Sequence, residues 1–182
     1  DCLVIGTGVA GLSFALKAAA AGQQVLVITK KTKEQSNTWW AQGGIAGVFG
    51  STDSIEKHVQ DTLTAGDGLC KEDVVRLVVG QGPERIRELM DLGAEFDRDA
   101  DGKLMLGREG GHSEHRILHS RDATGAEIAR ALLAAATAHP HIRITEDYFA
   151  IDLLTQHHLG RYVNRGHTDI ACYGVYALDI PR

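Results

Sequence analysis

Short apolar runs, separated by glycine and by one helical pattern, open the chain. Cys2-Leu3-Val4-Ile5 ends at Gly6, and Gln24–Ile28 is a second run rich in β-branched residues. The alanine- and leucine-rich segment Val9–Ala21 lies between them and is followed by a glycine. Such runs are typical of buried parallel strands, and the segment between them of a helix. The pattern therefore predicts a βαβ unit over residues 1–30 with a right-handed crossover.

Helical spacing of apolar residues appears next. Asp53 and Glu56 have the spacing of a capping box, which predicts a helix beginning at Asp53. Further helices are predicted at Glu72–Val79 and at Pro83–Leu92, the second with proline in its first turn. Together these segments form a helical insertion over residues 53–92.

The rest of the chain returns to a mixed pattern. Residues 93–121 read as loop and hairpin, and Thr124-Gly125-Ala126-Glu127 is a second capping box, opening a helix to about Ala138. Strands are predicted at Ile142–Thr145, Phe149–Thr155 and Ile170–Leu178. The order of elements predicts an α/β fold with a parallel sheet.

Composition sets the class of protein. The chain has 182 residues, of which 43% are hydrophobic and 24% charged, values usual for a globular domain or a large piece of one. The net charge of −5 argues against a binder of nucleic acid or of anionic membranes. Three widely spaced cysteines do not form a disulfide framework and favour the reducing cytoplasm.

Both ends of the sequence resemble internal positions of a longer protein. Asp1 directly precedes an apolar strand, and Ala177–Ile180 still has a strand pattern. We therefore expect a fragment.

The candidate chemistry begins at the first glycine turn. Gly6, Thr7, Gly8, Val9, Ala10 and Gly11 form a G-x-G-x-x-G motif between a predicted strand and a predicted helix. The first glycine permits the tight turn, the second lets a pyrophosphate approach the backbone, and the third lets the helix lie close to the strand. In this context the motif predicts a dinucleotide site at the helix N-terminus.

The end of the second strand leaves the identity of the dinucleotide open. NAD sites and many FAD sites have an acidic residue there, whereas this chain has Thr29-Lys30-Lys31. The two lysines are compatible with the 2′-phosphate of NADP and equally with a solvated strand end.

The next motif carries a family resemblance. Asn37-Thr38-Trp39-Trp40-Ala41-Gln42-Gly43-Gly44-Ile45-Ala46 resembles the flavin-binding loop of the succinate dehydrogenase/fumarate reductase flavoprotein superfamily. Within that superfamily, this loop and the stretches Asp53–Cys70 and Arg108–Gly125 resemble the L-aspartate oxidase family. The resemblance is specific up to Leu154 and generic from Gln156 onward.

The resemblance implies an FAD site. Its residues would be Gly6, Thr7, Gly8, Val9, Ala10 and Gly11 at the pyrophosphate, Lys30 by the adenosine, Asn37, Thr38, Trp39, Trp40, Ala41, Gln42, Gly43 and Gly44 along the pyrophosphate and isoalloxazine, and Phe149 and Ala150 beside the adenine. In membrane succinate dehydrogenases a histidine at the Asn37 position carries the flavin covalently. Asparagine cannot form that bond, so non-covalent FAD is expected. For Trp39 and Trp40, core packing is favoured over stacking on the flavin.

Glu109 lies between glycines, in Gly107-Arg108-Glu109-Gly110-Gly111-His112. From the residues alone it reads as a surface acid paired with Arg108 or Arg116. In L-aspartate oxidases, however, the matching glutamate faces the substrate's amino group. The resemblance therefore makes Glu109 the candidate catalytic residue, selecting an amino acid over succinate or fumarate.

His112, His115 and His119 raise the possibility of a zinc site, but the preceding glycines and the absence of an accompanying cysteine argue against one. Hydrogen bonds to substrate or to Asp122 are the favoured interpretation. No metal is expected.

The resemblance implies a Rossmann-type FAD-binding domain with helical insertions, truncated before the capping domain. The chain would be the first segment of a split domain, with a βαβ unit at 1–30, a flavin loop at 37–50, the helical insertion at 53–92, a substrate-side loop at 93–123, and a helix and strands at 124–182.

The implied reaction is the oxidation of L-aspartate to iminoaspartate, with hydride transfer to flavin N5 and reoxidation by oxygen or fumarate. It opens the route to NAD through quinolinate synthase. The fragment alone is expected to be inactive. A soluble fumarate reductase, a non-catalytic module binding NADP or ADP, and a zinc hydrolase are the alternatives.

Overall fold

The computed structural model describes residues 1–161, 164, 166 and 169–180. Its strands are β1 (Cys2–Ile5), β2 (Val25–Ile28), β3 (Ile45–Ala46), β4 (Leu106–Gly107), β5 (Ile117–Leu118), β6 (Ile142–Thr145), β7 (Tyr148–Thr155) and β8 (Cys172–Asp179). Its α-helices are α1 (Val9–Ala20), α2 (Ile55–Ala65), α3 (Glu72–Asp91) and α4 (Thr124–Ala138). The described residues divide into two compact units, Asp1–Ser36 with Leu133–Arg182, and Asn37–Leu132.

The first unit is built on a parallel sheet with the strand order β1-β2-β6. Cys2 pairs with Val25, and Val25 in turn pairs with Ile142, so the carboxyl ends of these strands lie at one edge of the sheet. Helix α1 buries Leu12 and Ala15. The predicted βαβ unit and the α/β fold class are confirmed. An antiparallel pair, β7 and β8, completes the strands of this unit.

The second unit holds the helical insertion and a small antiparallel sheet in the order β3-β5-β4. Helices α2 and α3 pack through Val59, Val75 and Val79. The short strands β4 and β5 confirm the hairpin expected within residues 93–121.

Helix α3 corrects one prediction, because it runs unbroken through Pro83 where two helices were expected. A proline inside a helix removes one backbone hydrogen bond and disfavours the preceding turn. Here Val79 on one side of it and Ile86 on the other are both buried residues of the same helix. Packing of this apolar face outweighs the local preference of proline.

Neither predicted capping box forms. Helix α2 has Ser54 as its N-cap, with the Ser54 hydroxyl accepting a hydrogen bond from the Lys57 N–H at 3.2 Å. Asp53 instead turns its carboxylate to the Ser54 N–H and to an arginine described below. At α4, the Glu127 carboxylate accepts the Glu95 N–H at 2.8 Å, so it holds the preceding loop rather than the first turn of its own helix.

Candidate functional site

The glycine turn after β1 has the backbone that its sequence predicts. Gly6 has φ +98°, in the left-handed region that favours glycine, and its N–H donates to the Ile28 carbonyl at 2.8 Å. A Cβ on Gly11 would collide with the Gly6 carbonyl oxygen and lie 3.1 Å from Val4 Cγ1. The first and third glycines therefore have the conformational and packing roles expected of them. Whether the turn binds a dinucleotide stays a prediction from this geometry.

Thr7 supplies an observation that points to a ligand. Its side chain is buried, yet its hydroxyl has no hydrogen-bond partner among the described residues. A buried hydroxyl without a partner is costly, so a group that the structure does not contain is expected to bond to it. Gly8 next to it is the N-cap of α1 and has no side chain with which to cap the helix. A buried hydroxyl and an uncapped helix N-terminus fit the pyrophosphate of FAD.

The residues predicted at the adenosine end also belong to the first unit. Lys30 is exposed directly after the buried Thr29, at the end of β2. Phe149 and Ala150 lie on β7, paired with Leu178 and Ala177 of β8. Their contact with FAD stays a prediction.

The flavin loop belongs to the second unit and is anchored at Ala41. The Ala41 N–H donates to the Thr38 carbonyl at 3.2 Å, and the Ala41 carbonyl accepts the Gly125 N–H at 2.9 Å. A Cβ on Gly125 would lie 2.6 Å from that carbonyl oxygen, so this approach requires glycine. The loop is thus held against the first turn of α4.

The paired glycines of the loop differ in their surroundings. A Cβ on Gly43 would meet no atom within 4 Å. A Cβ on Gly44, which has φ +83°, would lie 2.7 Å from the Leu118 carbonyl oxygen and 2.9 Å from His119 Nδ1. Gly44 therefore packs on the protein, whereas Gly43 faces open space. An open backbone at Gly43 fits the close approach of a flat ring or a phosphate.

Trp40 corrects a second prediction. Its side chain is 71% exposed, so it does not pack in the core of the described structure. Trp39 beside it is half-buried. Trp40 follows Asn37 and Thr38 in a stretch of turn, where no strand or helix directs the side chain inward.

Glu109 lies in a tight turn, Glu109-Gly110-Gly111-His112, closed by the His112 N–H donating to the Glu109 carbonyl at 3.2 Å. Gly111 has φ +85°, as the third residue of a type II turn requires. The Glu109 side chain is exposed and forms no ion pair within the described part of the chain. The pairing with Arg108 or Arg116 read from the residues alone is wrong, because Arg108 Nε donates to the His112 carbonyl and Arg116 is engaged elsewhere.

Arg116 is the largest fully buried side chain among the described residues. Its Nε and Nη2 donate to the two carboxylate oxygens of Asp53 at 2.9 and 2.8 Å, and its Nη1 donates to Asp61 Oδ2 at 2.6 Å. The same Asp61 oxygen accepts the N–H and the hydroxyl of Ser113, both at 2.8 Å. Burial alone would raise the pKa of Asp61, but the hydrogen bonds from Ser113 and Arg116 outweigh it and lower the pKa to about 2. Asp61 is therefore ionised at neutral pH.

His112, His115 and His119 are not arranged as a metal site. No group of three His, Cys, Asp or Glu side chains in the described ranges is arranged to hold one. His112 packs edge-on against His58, with ring centroids 6.0 Å apart, and His119 lies between the backbones of Gly44 and Gly107. The expected hydrogen bond from this cluster to Asp122 is not formed among the residues described. Burial, and then the positive charge of Arg116, lower the pKa of His58.

Sequence reasoning missed the network of Asp53, Asp61, Ser113 and Arg116. The sequence pattern places Asp53 in a helix cap and predicts no role for Asp61. One signal was available, since Arg116 directly precedes the apolar pair Ile117-Leu118. A charged residue adjoining a buried strand needs a buried counter-charge.

The chain belongs to the FAD binding domain family, which matches residues 1–180. Its cofactor is accordingly FAD. The chain is 51% identical over 179 residues to L-aspartate oxidase 2-a, chloroplastic, of Nicotiana tabacum, covering 98% of this chain and 26% of that protein. It is 44% identical over 186 residues to L-aspartate oxidase of Pseudomonas aeruginosa, covering 98% and 33%. The chain thus spans about a quarter to a third of the length of these relatives.

Among solved structures, the chain resembles a variant of the E. coli quinol fumarate reductase with a TM-score of 0.85 and 30% identity, over 98% of this chain and 29% of that one. It also resembles the Mycobacterium smegmatis Sdh1 complex in its apo form, with a TM-score of 0.84 and 29% identity, over 97% and 30%. Within the described residues, no helix has the length and apolar character needed to cross a membrane.

Proposed function

We propose that the protein containing this chain is an enzyme that oxidises L-aspartate to iminoaspartate with bound FAD. Relatives bearing the name L-aspartate oxidase, 44–51% identical over almost the whole chain, support this. The observation that carries the proposal is the Glu109 carboxylate, presented to solvent on a glycine turn and paired with no cation in the described structure. A carboxylate held in this way is available to a substrate ammonium group.

The residues of the chain would hold FAD by backbone groups and by one buried hydroxyl. In the first unit, Thr7 Oγ1 and the N-terminus of α1 would hold the pyrophosphate. In the second unit, the open backbone at Gly43 would admit a flat ring or a phosphate. Asn37 has no group that bonds covalently to the flavin, so the cofactor is held non-covalently. When bound, FAD supplies the acceptor for a hydride.

Glu109 distinguishes aspartate from dicarboxylates that lack an amino group. Its carboxylate binds the α-ammonium and orients the substrate, and its charge influences loss of the amine proton. Succinate and fumarate gain nothing from this contact, because they carry no ammonium group. The oxidation removes a hydride from the α-carbon and a proton from the nitrogen, and the two electrons pass finally to oxygen or fumarate.

We place the reaction at the first step of NAD biosynthesis, with iminoaspartate passing to quinolinate synthase. The cysteines Cys2, Cys70 and Cys172 are all unpaired, which supports a reducing compartment such as the cytoplasm. We also propose that the chain is the first segment of a split FAD-binding domain and is inactive alone.

The alternative is a dicarboxylate reductase. The similarity to the E. coli quinol fumarate reductase favours it, at 30% identity. The higher identity to relatives named L-aspartate oxidase favours the main proposal.

The test compares Glu109→Gln with Glu84→Gln in the full-length protein. Glu84 is an exposed acid of α3 that pairs with Arg85 and serves as the matched control. We expect E109Q to lower kcat/KM for L-aspartate by about a hundredfold, as loss of a charge-assisted hydrogen bond of roughly 3 kcal/mol requires, and to leave fumarate reduction within about twofold. E84Q should change neither. Equal losses on both substrates would contradict the proposal.

A further inference from the structure

Two hydrogen bonds to one carboxylate oxygen of helix α2 hold the residue that directly follows the turn carrying Glu109, and His112 of the turn packs against His58 of the same helix. Asp61 Oδ2 accepts both the backbone N–H and the hydroxyl of Ser113, the residue directly after the turn. At its other end, Gly107 lies in β4 and accepts the Arg116 N–H at 3.0 Å. The turn is therefore attached to β4 at one end and to α2 at the other. The groups that form these attachments are themselves held in place.

The Asp61 carboxylate is itself held in place by Arg116. Arg116 Nη1 donates to the Asp61 oxygen that also accepts from Ser113. Arg116 Nε and Nη2 donate to the carboxylate of Asp53, just before α2. The Arg116 side chain is inaccessible to solvent, and Asp61 is only 15% exposed. A buried, bidentate guanidinium fixes its partners more tightly than a surface pair does.

The backbone of Arg116 also connects this hydrogen-bond network to the flavin loop. Its carbonyl accepts the Gly47 N–H at 2.8 Å, and its N–H donates to Gly107. One residue thus joins Gly47, which directly follows β3 within the flavin loop, to β4, which precedes the Glu109 turn. Displacing Asp61 would therefore move the Glu109 turn relative to the backbone of Arg116, Gly47 and Gly107.

We propose that Asp61 is the positioning residue of Glu109, setting where the Glu109 carboxylate meets the substrate ammonium. This rests on the function proposed above. Asp61 does not touch the substrate; it acts through Ser113 and the Glu109–His112 turn. The consequence is selective, because a displaced Glu109 weakens binding of an amino dicarboxylate and leaves one without nitrogen unaffected.

The experiment uses the full-length protein with Ser113→Ala, Ser113→Thr and Asp61→Asn. Ser113→Ala removes one hydrogen bond to Asp61 and keeps the backbone bond, so it is the variant least prone to misfold. Ser113→Thr keeps the hydroxyl and is the conservative rescue. Glu56→Gln is the matched control, because Glu56 lies on the same helix and pairs with Arg76, away from the turn. KM and kcat are measured for L-aspartate and for fumarate, and amide hydrogen exchange over residues 108–113.

We expect S113A to raise KM for L-aspartate about fivefold, the loss of one hydrogen bond, and D61N to raise it further. KM for fumarate should stay unchanged, S113T should restore the wild-type value, and exchange over 108–113 should accelerate in S113A and D61N alone. In the E109Q background S113A should add nothing, because the two substitutions act on one contact.

Failure of the inference and failure of the proposed function give different results. If the wild type does not oxidise L-aspartate, the proposed function fails. If the wild type and E109Q behave as proposed but S113A and D61N leave exchange over 108–113 unchanged, the positioning role is overturned. A parallel rise in KM for L-aspartate and fumarate also overturns it, since that result indicates general loss of structure.

Discussion

The guanidinium of Arg116 and the carboxylate of Asp53 form a bidentate pair in which both side chains are inaccessible to solvent. Arg116 directly precedes strand β5, and Asp53 lies just before helix α2. The pair therefore joins the small antiparallel sheet of the second unit to its helical insertion. Asp61 adds a second carboxylate to the same guanidinium.

Arg116→Met is expected to destabilise the protein strongly. It leaves Asp53 buried without its counter-charge, and breaking a buried pair in this way costs about 3–5 kcal/mol. Urea unfolding of the full-length protein measures the loss. Arg76→Met is the control, because Arg76 also pairs with two acids, Glu56 and Glu72, but at the surface. A loss for R116M no larger than that for R76M would show that the buried pair contributes little.

Thr7→Val separates stability from cofactor binding. Valine has nearly the shape of threonine and removes a buried hydroxyl that has no partner in the described structure. Without FAD, the variant should be as stable as the wild type or more stable by about 1 kcal/mol. Its affinity for FAD, measured by equilibrium titration of flavin fluorescence, should fall about tenfold.

Thr124→Val provides the contrast for T7V. The Thr124 hydroxyl is buried and accepts the Ser120 N–H at 3.1 Å, so its removal should destabilise the FAD-free protein. Unchanged FAD affinity in T7V would remove Thr7 from the cofactor site.

Gly43→Ala and Gly44→Ala should differ, although the residues are adjacent. A Cβ on Gly44 meets the Leu118 carbonyl and His119, and its φ is positive, so G44A should lower both stability and FAD affinity. A Cβ on Gly43 meets no protein atom, so G43A should leave the FAD-free protein as stable as the wild type. Because that Cβ would occupy space assigned to the cofactor, G43A should still weaken FAD binding. Wild-type FAD affinity in G43A would contradict this account of the loop.

Asp61 makes stability depend on pH in a defined window. Its pKa is lowered from 3.8 to about 2, so between these pH values Asp61 is protonated in the unfolded chain but ionised in the folded state. The stabilisation is therefore complete above about pH 4 and is lost as the pH falls through about 2. The difference in unfolding free energy between the wild type and D61N, measured by urea titration, should be constant above pH 4 and shrink below it. A difference that grows toward low pH would contradict the lowered pKa.

The sequence predicted the parts of the fold that depend on local pattern. The βαβ unit and the strands at Ile142–Thr145 and Phe149–Thr155 follow from apolar runs and glycine, and they are confirmed within a residue or so. The break expected before Pro83 is wrong, because burial of Val79 and Ile86 is a tertiary effect that a local rule does not contain.

The candidate site was predictable only where its residues belong to a recognisable motif. The glycine turn follows from such a motif, whereas Glu109 becomes a candidate only through the family resemblance. The hydrogen-bond network of Arg116 follows from no motif, because Asp53, Asp61 and Arg116 are brought together across 55 to 63 residues of sequence. Their pairing depends on the tertiary contact between α2 with the residue just before it and Arg116 just before β5, which no spacing in the sequence records. Trp40 shows the converse error, since a large apolar side chain was expected to be buried and is exposed.

The most direct test of the central claim is made on the full-length protein without oxygen. L-aspartate is added, and the visible absorbance band of the bound flavin is followed, with succinate added to a second sample. We expect the band to bleach with L-aspartate and to remain with succinate. A flavin that stays oxidised with L-aspartate would contradict the account and favour a dicarboxylate reductase, and a protein without a flavin band would contradict the FAD site itself.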